Sequence, residues 1–163
     1  MSRFPSRRNA VILIALGLVE LVFAPVGADV RAAGAASDVA NSPVGRWKTF
    51  DDATGKLKSI VDISQQNGEF DGTIETLFDP PVPHPTCYLC SGAKKDVPLV
   101  GLQVLWGFRP DGDAWSGGQV LDPETGKIYR ASMALEDDGK TLRLHGYIVI
   151  PLLGRTEHWV RAE

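Results

Sequence analysis

Apolar and polar residues alternate along most of this chain with the two-residue period of β-strands. The alternation is clearest in residues 57–64, 127–135 and 141–150, where nearly every second position is apolar or glycine. Beyond residue 28, no segment keeps the 3.6-residue period of an amphipathic helix. The pattern predicts about eight strands and no long helix.

Short polar turns separate the predicted strands. Asn67-Gly68 is a strong hairpin signal, and the segments 51–56 and 122–127 both end in Thr-Gly-Lys after an initial Asp. Adjacent hairpins without crossover helices predict an all-β fold, an antiparallel up-and-down barrel of about eight strands. A sandwich of two sheets is the alternative fold for the same strands.

The N-terminus differs in kind from the rest of the chain. Three arginines precede an apolar run, residues 10–26, that only Glu20 interrupts. Small residues follow, so residues 1–28 are predicted to be a signal peptide, cleaved after Ala28 or, as a second choice, after Ala35. The expected localisation is therefore periplasmic or secreted. An uncleaved membrane anchor is the alternative.

Composition is that of one globular domain. The chain is 44% hydrophobic and 23% charged, with a net charge of −3. This balance argues against a nucleic-acid partner, which would require a basic patch. We expect a flexible lead-in over residues 29–43 and a single β-barrel domain over residues 44–163, with no cofactor and no membrane-spanning segment in the mature form.

Residues 79–99 interrupt the strand pattern with five prolines and with His84, Cys87 and Cys90. In an oxidising compartment the two cysteines most simply form a disulfide. A second hypothesis is a metal site for zinc or copper, formed by His84, Cys87 and Cys90 without an evident fourth ligand. A third is thiol–disulfide exchange at the Cys-x-x-Cys motif.

Several short motifs follow one another in a recognisable order from residue 44 to residue 161. They are Gly45-Arg46-Trp47, the Cys87 and Cys90 pair, Gly117-Gly118, Leu121-Asp122-Pro123 with Gly126-Lys127, and Leu153-Gly154-Arg155-Thr156 with Trp159. In this order they resemble the bacterial family known as domain of unknown function 2147. The resemblance implies a small exported barrel of lipocalin-like or calycin-like character, and it implies no established activity.

Gly45-Arg46-Trp47 is also similar to the Gly-x-Trp that opens lipocalins, which carry an arginine near the end of the last strand, here Arg161. This resemblance implies that the indole of Trp47 closes one end of the barrel, with the guanidinium of Arg161 stacked over it as a cation–π contact. The alternative is that Trp47 is an ordinary core aromatic residue.

The leading functional hypothesis is a non-enzymatic barrel that binds a small apolar molecule in its cup. The candidate cup residues are Trp106, Phe108, Tyr129, Met133 and Tyr147. A metal-binding or thiol-redox protein of the cell envelope, using Cys87 and Cys90, is the alternative from another class. An interaction module without a ligand is a third. The Gly-x-Ser-x-Gly motif of many hydrolases is not present.

Overall fold

The computed structural model of the protein describes residues 41–163. Eight antiparallel strands pair in chain order, and the last pairs with the first to close a barrel. The predicted up-and-down barrel is thus confirmed, and within residues 41–163 all eight strands belong to one closed ladder rather than to the two sheets of a sandwich. The strands are β1 Gly45–Phe50, β2 Leu57–Gln66, β3 Glu69–Leu77, β4 Gln103–Asp111, β5 Ala114–Asp122, β6 Lys127–Glu136, β7 Thr141–Tyr147 and β8 Gly154–Arg161.

The predicted signal peptide, residues 1–28, lies outside the described residues, as does most of the lead-in predicted for residues 29–43. The helical segments within residues 41–163 are two 3-10 turns of three residues, Gly92–Lys94 and Asp137–Gly139. Nothing helical in this part of the chain is therefore long and apolar enough to cross a bilayer.

The turns form for the reasons that the sequence suggests. Asn67 and Gly68 have φ values of 52° and 81°, the left-handed geometry that a two-residue hairpin turn needs. In the β1–β2 turn, the carboxylate of Asp51 accepts hydrogen bonds from the Thr54 hydroxyl at 2.6 Å and the Thr54 amide at 2.8 Å. These bonds lower the pKa of Asp51. In the β5–β6 turn, the carboxylate of Asp122 accepts hydrogen bonds from the Glu124 amide at 2.9 Å and the Thr125 hydroxyl at 2.8 Å.

The barrel has a closed end and an open end. The closed end carries the β2–β3, β4–β5 and β6–β7 turns, and large side chains fill the interior beneath it. They include five that are almost fully buried: Trp47, Ile63, Phe108, Met133 and Leu142. The open end carries the other four connections. The interior of the closed half is therefore filled by side chains, and a cavity is to be sought in the open half.

Glycines allow this packing in β4 and β5. A Cβ on Gly118 would lie 2.3 Å from the ring of Phe108, so only glycine lets that ring reach the barrel wall. Gly107 has a φ of 74°, which breaks the strand alternation between Trp106 and Phe108. The sequence pattern places these two aromatic residues on one face of β4. The structure corrects this: Phe108 is buried in the interior, and Trp106 lies on the outer surface.

Candidate functional site

The open half of the barrel holds a cavity of about 1570 Å³. This volume exceeds the usual range for small-molecule pockets, about 300–1,000 Å³, because the cavity opens to solvent between the connecting loops. Most of its inner wall is apolar, and the indole of Trp159 lies towards its base. The inward side chains of the wall are Val61, Ile74, Val104, Val120, Tyr129 and Leu144.

Polar groups are concentrated on one side of the cavity, where β8, β1 and β2 meet. The hydroxyls of Thr49 and Ser59 are buried and hydrogen-bonded to each other at 2.6 Å. Glu157 lines the same side, and its Oε2 accepts a hydrogen bond from Trp159 Nε1 at 3.0 Å. The cavity therefore has one polar side and a longer apolar side.

This polar side follows the seam at which the barrel closes. The β1–β8 ladder has two registered pairs, Trp47 with Arg161 and Lys48 with Val160, both near the closed end. Towards the open end the ladder gives way to an ion pair between Arg155 of β8 and Asp52 of the β1–β2 turn. Side chains rather than backbone hydrogen bonds thus join the two strands beside the cavity.

The predicted cup residues divide into three groups. Tyr129 and Tyr147 line the cavity, Tyr147 at its rim, where its ring is stacked with His145 at 6.1 Å. Phe108 and Met133 are buried beneath the cavity and fill the closed half. Trp106 is on the outside of the barrel. The structure therefore brings the two tyrosines, and not the other three residues, to the cavity.

Trp106 has partners of its own on the outer surface. Its Nε1 donates to Gln119 Oε1 at 2.8 Å, and the ammonium of Lys94 lies 4.8 Å from the centre of its ring. Partial burial lowers the pKa of that ammonium. These contacts explain the position of the Trp106 side chain without a bound ligand.

The cysteines of the β3–β4 connection, Cys87 and Cys90, form a disulfide. Both are buried, and the loop around them packs on the β5–β6 turn, where Cys87 Sγ lies 3.8 Å from the Pro123 carbonyl oxygen. His84 is exposed at the rim of the cavity. Within residues 41–163 no three His, Cys, Asp or Glu side chains are grouped as metal ligands, and the bonded sulfurs are not thiolates.

At the closed end, Trp47 and Arg161 are in contact. The guanidinium carbon lies 4.2 Å from the centre of the indole ring. The guanidinium also donates to three main-chain carbonyls, of Gly139 at 2.7 Å, Ser42 at 2.9 Å and Val44 at 3.0 Å. Partial burial lowers the pKa of Arg161, although an arginine stays charged at neutral pH. Arg161 therefore joins the first strand, the β6–β7 turn and the last strand.

The polar side of the cavity is the part of the site that the sequence analysis missed. The sequence of β8 indicates part of this polar side, because Glu157 lies two residues from Trp159, on the same strand face, and therefore points inward. No such signal exists for Thr49 and Ser59, which are ordinary strand residues until the barrel brings them together.

Eight antiparallel strands around a cup that is open at one end define a lipocalin-like barrel. The sequence profile of a bacterial family described as uncharacterized protein conserved in bacteria, DUF2147, matches residues 45–161, and the chain belongs to this family. Among solved structures, the fold is similar to protein HP1028 from the human pathogen Helicobacter pylori, described as belonging to the lipocalin family. The TM-score is 0.65, with 20% identity over 75% of this chain and 84% of that chain. No curated protein sequence matches.

Proposed function

We propose that this protein is a non-enzymatic exported binding protein, which holds a small and largely apolar molecule in its cup. The observation that carries the proposal is the cavity of about 1570 Å³, which has apolar walls and opens at one end of an otherwise packed barrel. Removing an apolar ligand from water into such a cup is favourable, at roughly 25 cal/mol per Å² of buried apolar surface.

The two sides of the cavity define the ligand further. Its apolar body would lie against Ile74, Val104 and Leu144, and a polar end would lie at the seam, beside Glu157 and Arg155. A few polar groups on an otherwise apolar wall orient a ligand without contributing most of its affinity. The ligand class that fits is an amphiphile with one hydrocarbon chain or a flat hydrophobic ring system.

Binding is tested by extraction and by titration. Organic extracts of the purified protein are analysed by mass spectrometry for copurified lipid, and the emptied protein is titrated with a fluorescent fatty acid. We expect saturable binding by the wild-type protein.

The decisive variant is Gly146→Phe. A Cβ on Gly146 would have ordinary contacts, 3.4 Å from Val120 and 3.6 Å from Tyr129, so the strand tolerates a side chain there. Because Gly146 lines the cavity, the added ring narrows the cup where the apolar part of the ligand would lie. The matched control is Val160→Phe, on the outer surface of β8. The proposal fails if Gly146→Phe folds and binds the fatty acid as well as the control does, or if the wild-type protein neither carries lipid nor binds the probe.

A further inference from the structure

The exposed apolar residues of this protein are concentrated at one end. Of the thirteen large apolar side chains that are exposed in the described part of the chain, all but Val160 lie on the connections of the open end or on the strand ends beside them. The remaining twelve are Phe50, Phe78, Val82, Tyr88, Leu89, Val100, Ile128, Ile148, Val149, Ile150, Leu152 and Leu153. A patch of this kind on a monomeric protein marks an interaction surface.

The β7–β8 connection, residues 148–153, is the centre of this surface, and we call it the apolar loop. Its sequence is Ile-Val-Ile-Pro-Leu-Leu, without a charged or hydrogen-bonding side chain. Leu152 is 88% exposed and Val149 is 73% exposed. Such exposure is unfavourable in water, because burial of each of these side chains would contribute about 1.5–3 kcal/mol.

The loop is held in a defined conformation that keeps these side chains outward. The amide of Leu153 donates to the carbonyl of Ile150 at 3.0 Å, which closes a tight turn. His145 Nε2 lies 2.6 Å from the Pro151 carbonyl oxygen, and its Nδ1 lies 2.8 Å from the Thr156 hydroxyl. His145 thus joins the loop backbone to β8, and the apolar side chains of the loop remain exposed.

Charged side chains are present at both ends of the barrel, and their placement decides which segment can meet lipid. Two ion pairs lie at the open end, Arg155 with Asp52 and Lys58 with Glu124 at 2.8 Å, and its connections also carry the carboxylates of Asp51, Asp79 and Asp122. Paired charges cost less to bring to a lipid surface than isolated ones. The turns of the closed end carry Asp111, Asp113, Asp137 and Asp138. Among the four connections of the open end, the apolar loop is the one without a charged side chain, so it is the part of this end that can enter lipid.

We infer that the open end of the barrel docks on a lipid bilayer, with the apolar loop inserted among the acyl chains and the mouth of the cup against the membrane. The apolar side chains stand on several separate connections around an opening. A protein partner would have to match this interrupted ring, whereas a fluid bilayer adapts to it. Docking requires no ligand in the cup, so it does not rest on the proposed function.

The test places a fluorescent side chain at each end of the full-length protein. Leu152→Trp puts an indole at the tip of the apolar loop, and Val160→Trp puts one at the closed end. Each is mixed with phosphatidylcholine vesicles whose acyl chains are brominated, because bromine quenches only indoles within the hydrocarbon. Val44, where the described chain enters the barrel, lies beside Arg161 at the closed end, so position 160 reports contact of that end with lipid.

We expect the fluorescence added at position 152 to be quenched and that added at position 160 to be unchanged. In flotation with unlabelled vesicles, Val149→Glu combined with Leu152→Glu should lower the bound fraction at least roughly tenfold, with little effect of salt. Circular dichroism verifies that the variants are folded.

Two results would overturn the inference. One is equal quenching, or equal lack of quenching, at positions 152 and 160. The other is a wild-type dimer that the double glutamate variant converts to a monomer while neither form binds vesicles, which would assign the surface to a second copy of the chain. The Gly146→Phe variant separates this test from that of the cup, since it should lose the fatty acid and still dock.

Discussion

Arg161→Met offers a direct test of how the closed end of the barrel is held. Methionine keeps an aliphatic side chain over the Trp47 indole and removes the guanidinium. The wild-type group makes three hydrogen bonds to main-chain carbonyls, at 2.7, 2.9 and 3.0 Å, besides the cation–π contact at 4.2 Å. The variant loses all four interactions at once.

The magnitude follows from these contacts. Hydrogen bonds to a charged group contribute about 1.5–3 kcal/mol each, and a partly exposed cation–π contact about 0.5–1 kcal/mol. Arg161 is half-buried, and water can replace part of what is lost at each carbonyl. We therefore expect the free energy of unfolding to fall by about 3 kcal/mol rather than by the full sum.

Urea denaturation measures this loss. With an m-value of about 1.5 kcal/mol/M, the midpoint should fall by about 2 M with the slope unchanged. Arg109→Met is the matched control, because Arg109 forms an exposed ion pair with Glu69 and should contribute less than about 1 kcal/mol. A loss below about 1 kcal/mol for Arg161→Met, or a loss equal to that of the control, would refute the reasoning.

Three further variants test packing, polar burial and charge. Gly118→Ala should cost about 1–3 kcal/mol in urea denaturation, because the new methyl group overlaps an aromatic ring 2.3 Å away. Thr49→Val should cost about 1–3 kcal/mol by leaving the Ser59 hydroxyl buried without its partner, and adding Ser59→Ala should restore part of that loss in a double-mutant cycle. The hydroxyl of Thr54 lowers the pKa of Asp51, so the stability advantage of the wild type over Asp51→Asn should be complete above about pH 4 and decline as the pH falls through the lower folded-state pKa. An advantage that does not decline as the pH is lowered below about 4 would contradict this.

The disulfide could be predicted from the local sequence, whereas the packing of the loop around it could not. Cys87 and Cys90 are close in sequence, so their pairing was one of a few local possibilities. The packing of their loop on Pro123 and Gly126 could not be predicted, because it joins residues more than thirty positions apart. A Cβ on Gly126 would lie 2.1 Å from the Leu89 carbonyl oxygen, which explains a glycine that otherwise resembles an ordinary turn residue.

Within one strand, side-chain alternation predicted the inward face correctly where the backbone is regular. Along β6, Tyr129, Ala131 and Met133 follow the two-residue period into the interior. Along β4 the same rule failed for Trp106, because the backbone is irregular on both sides of it. The pairing with β3 slips by one residue at Val104, so that Val104 and Leu105 are both buried, and Gly107 has a positive φ; neither irregularity has a local sequence signal.

The sequence alone determined the all-β class, the hairpin order of the strands, the turn chemistry and the family. These depend on local periodicity and on residues that are neighbours in the chain. Only the tertiary structure decided that the closed half of the barrel is filled while the open half is a cup. It also decided that Thr49, Ser59 and Glu157 share one side of the cup and that the apolar loop lies at the mouth of the cup. The reason is that closing a barrel sets the depth and the neighbours of every inward residue at once, and no single strand contains that information.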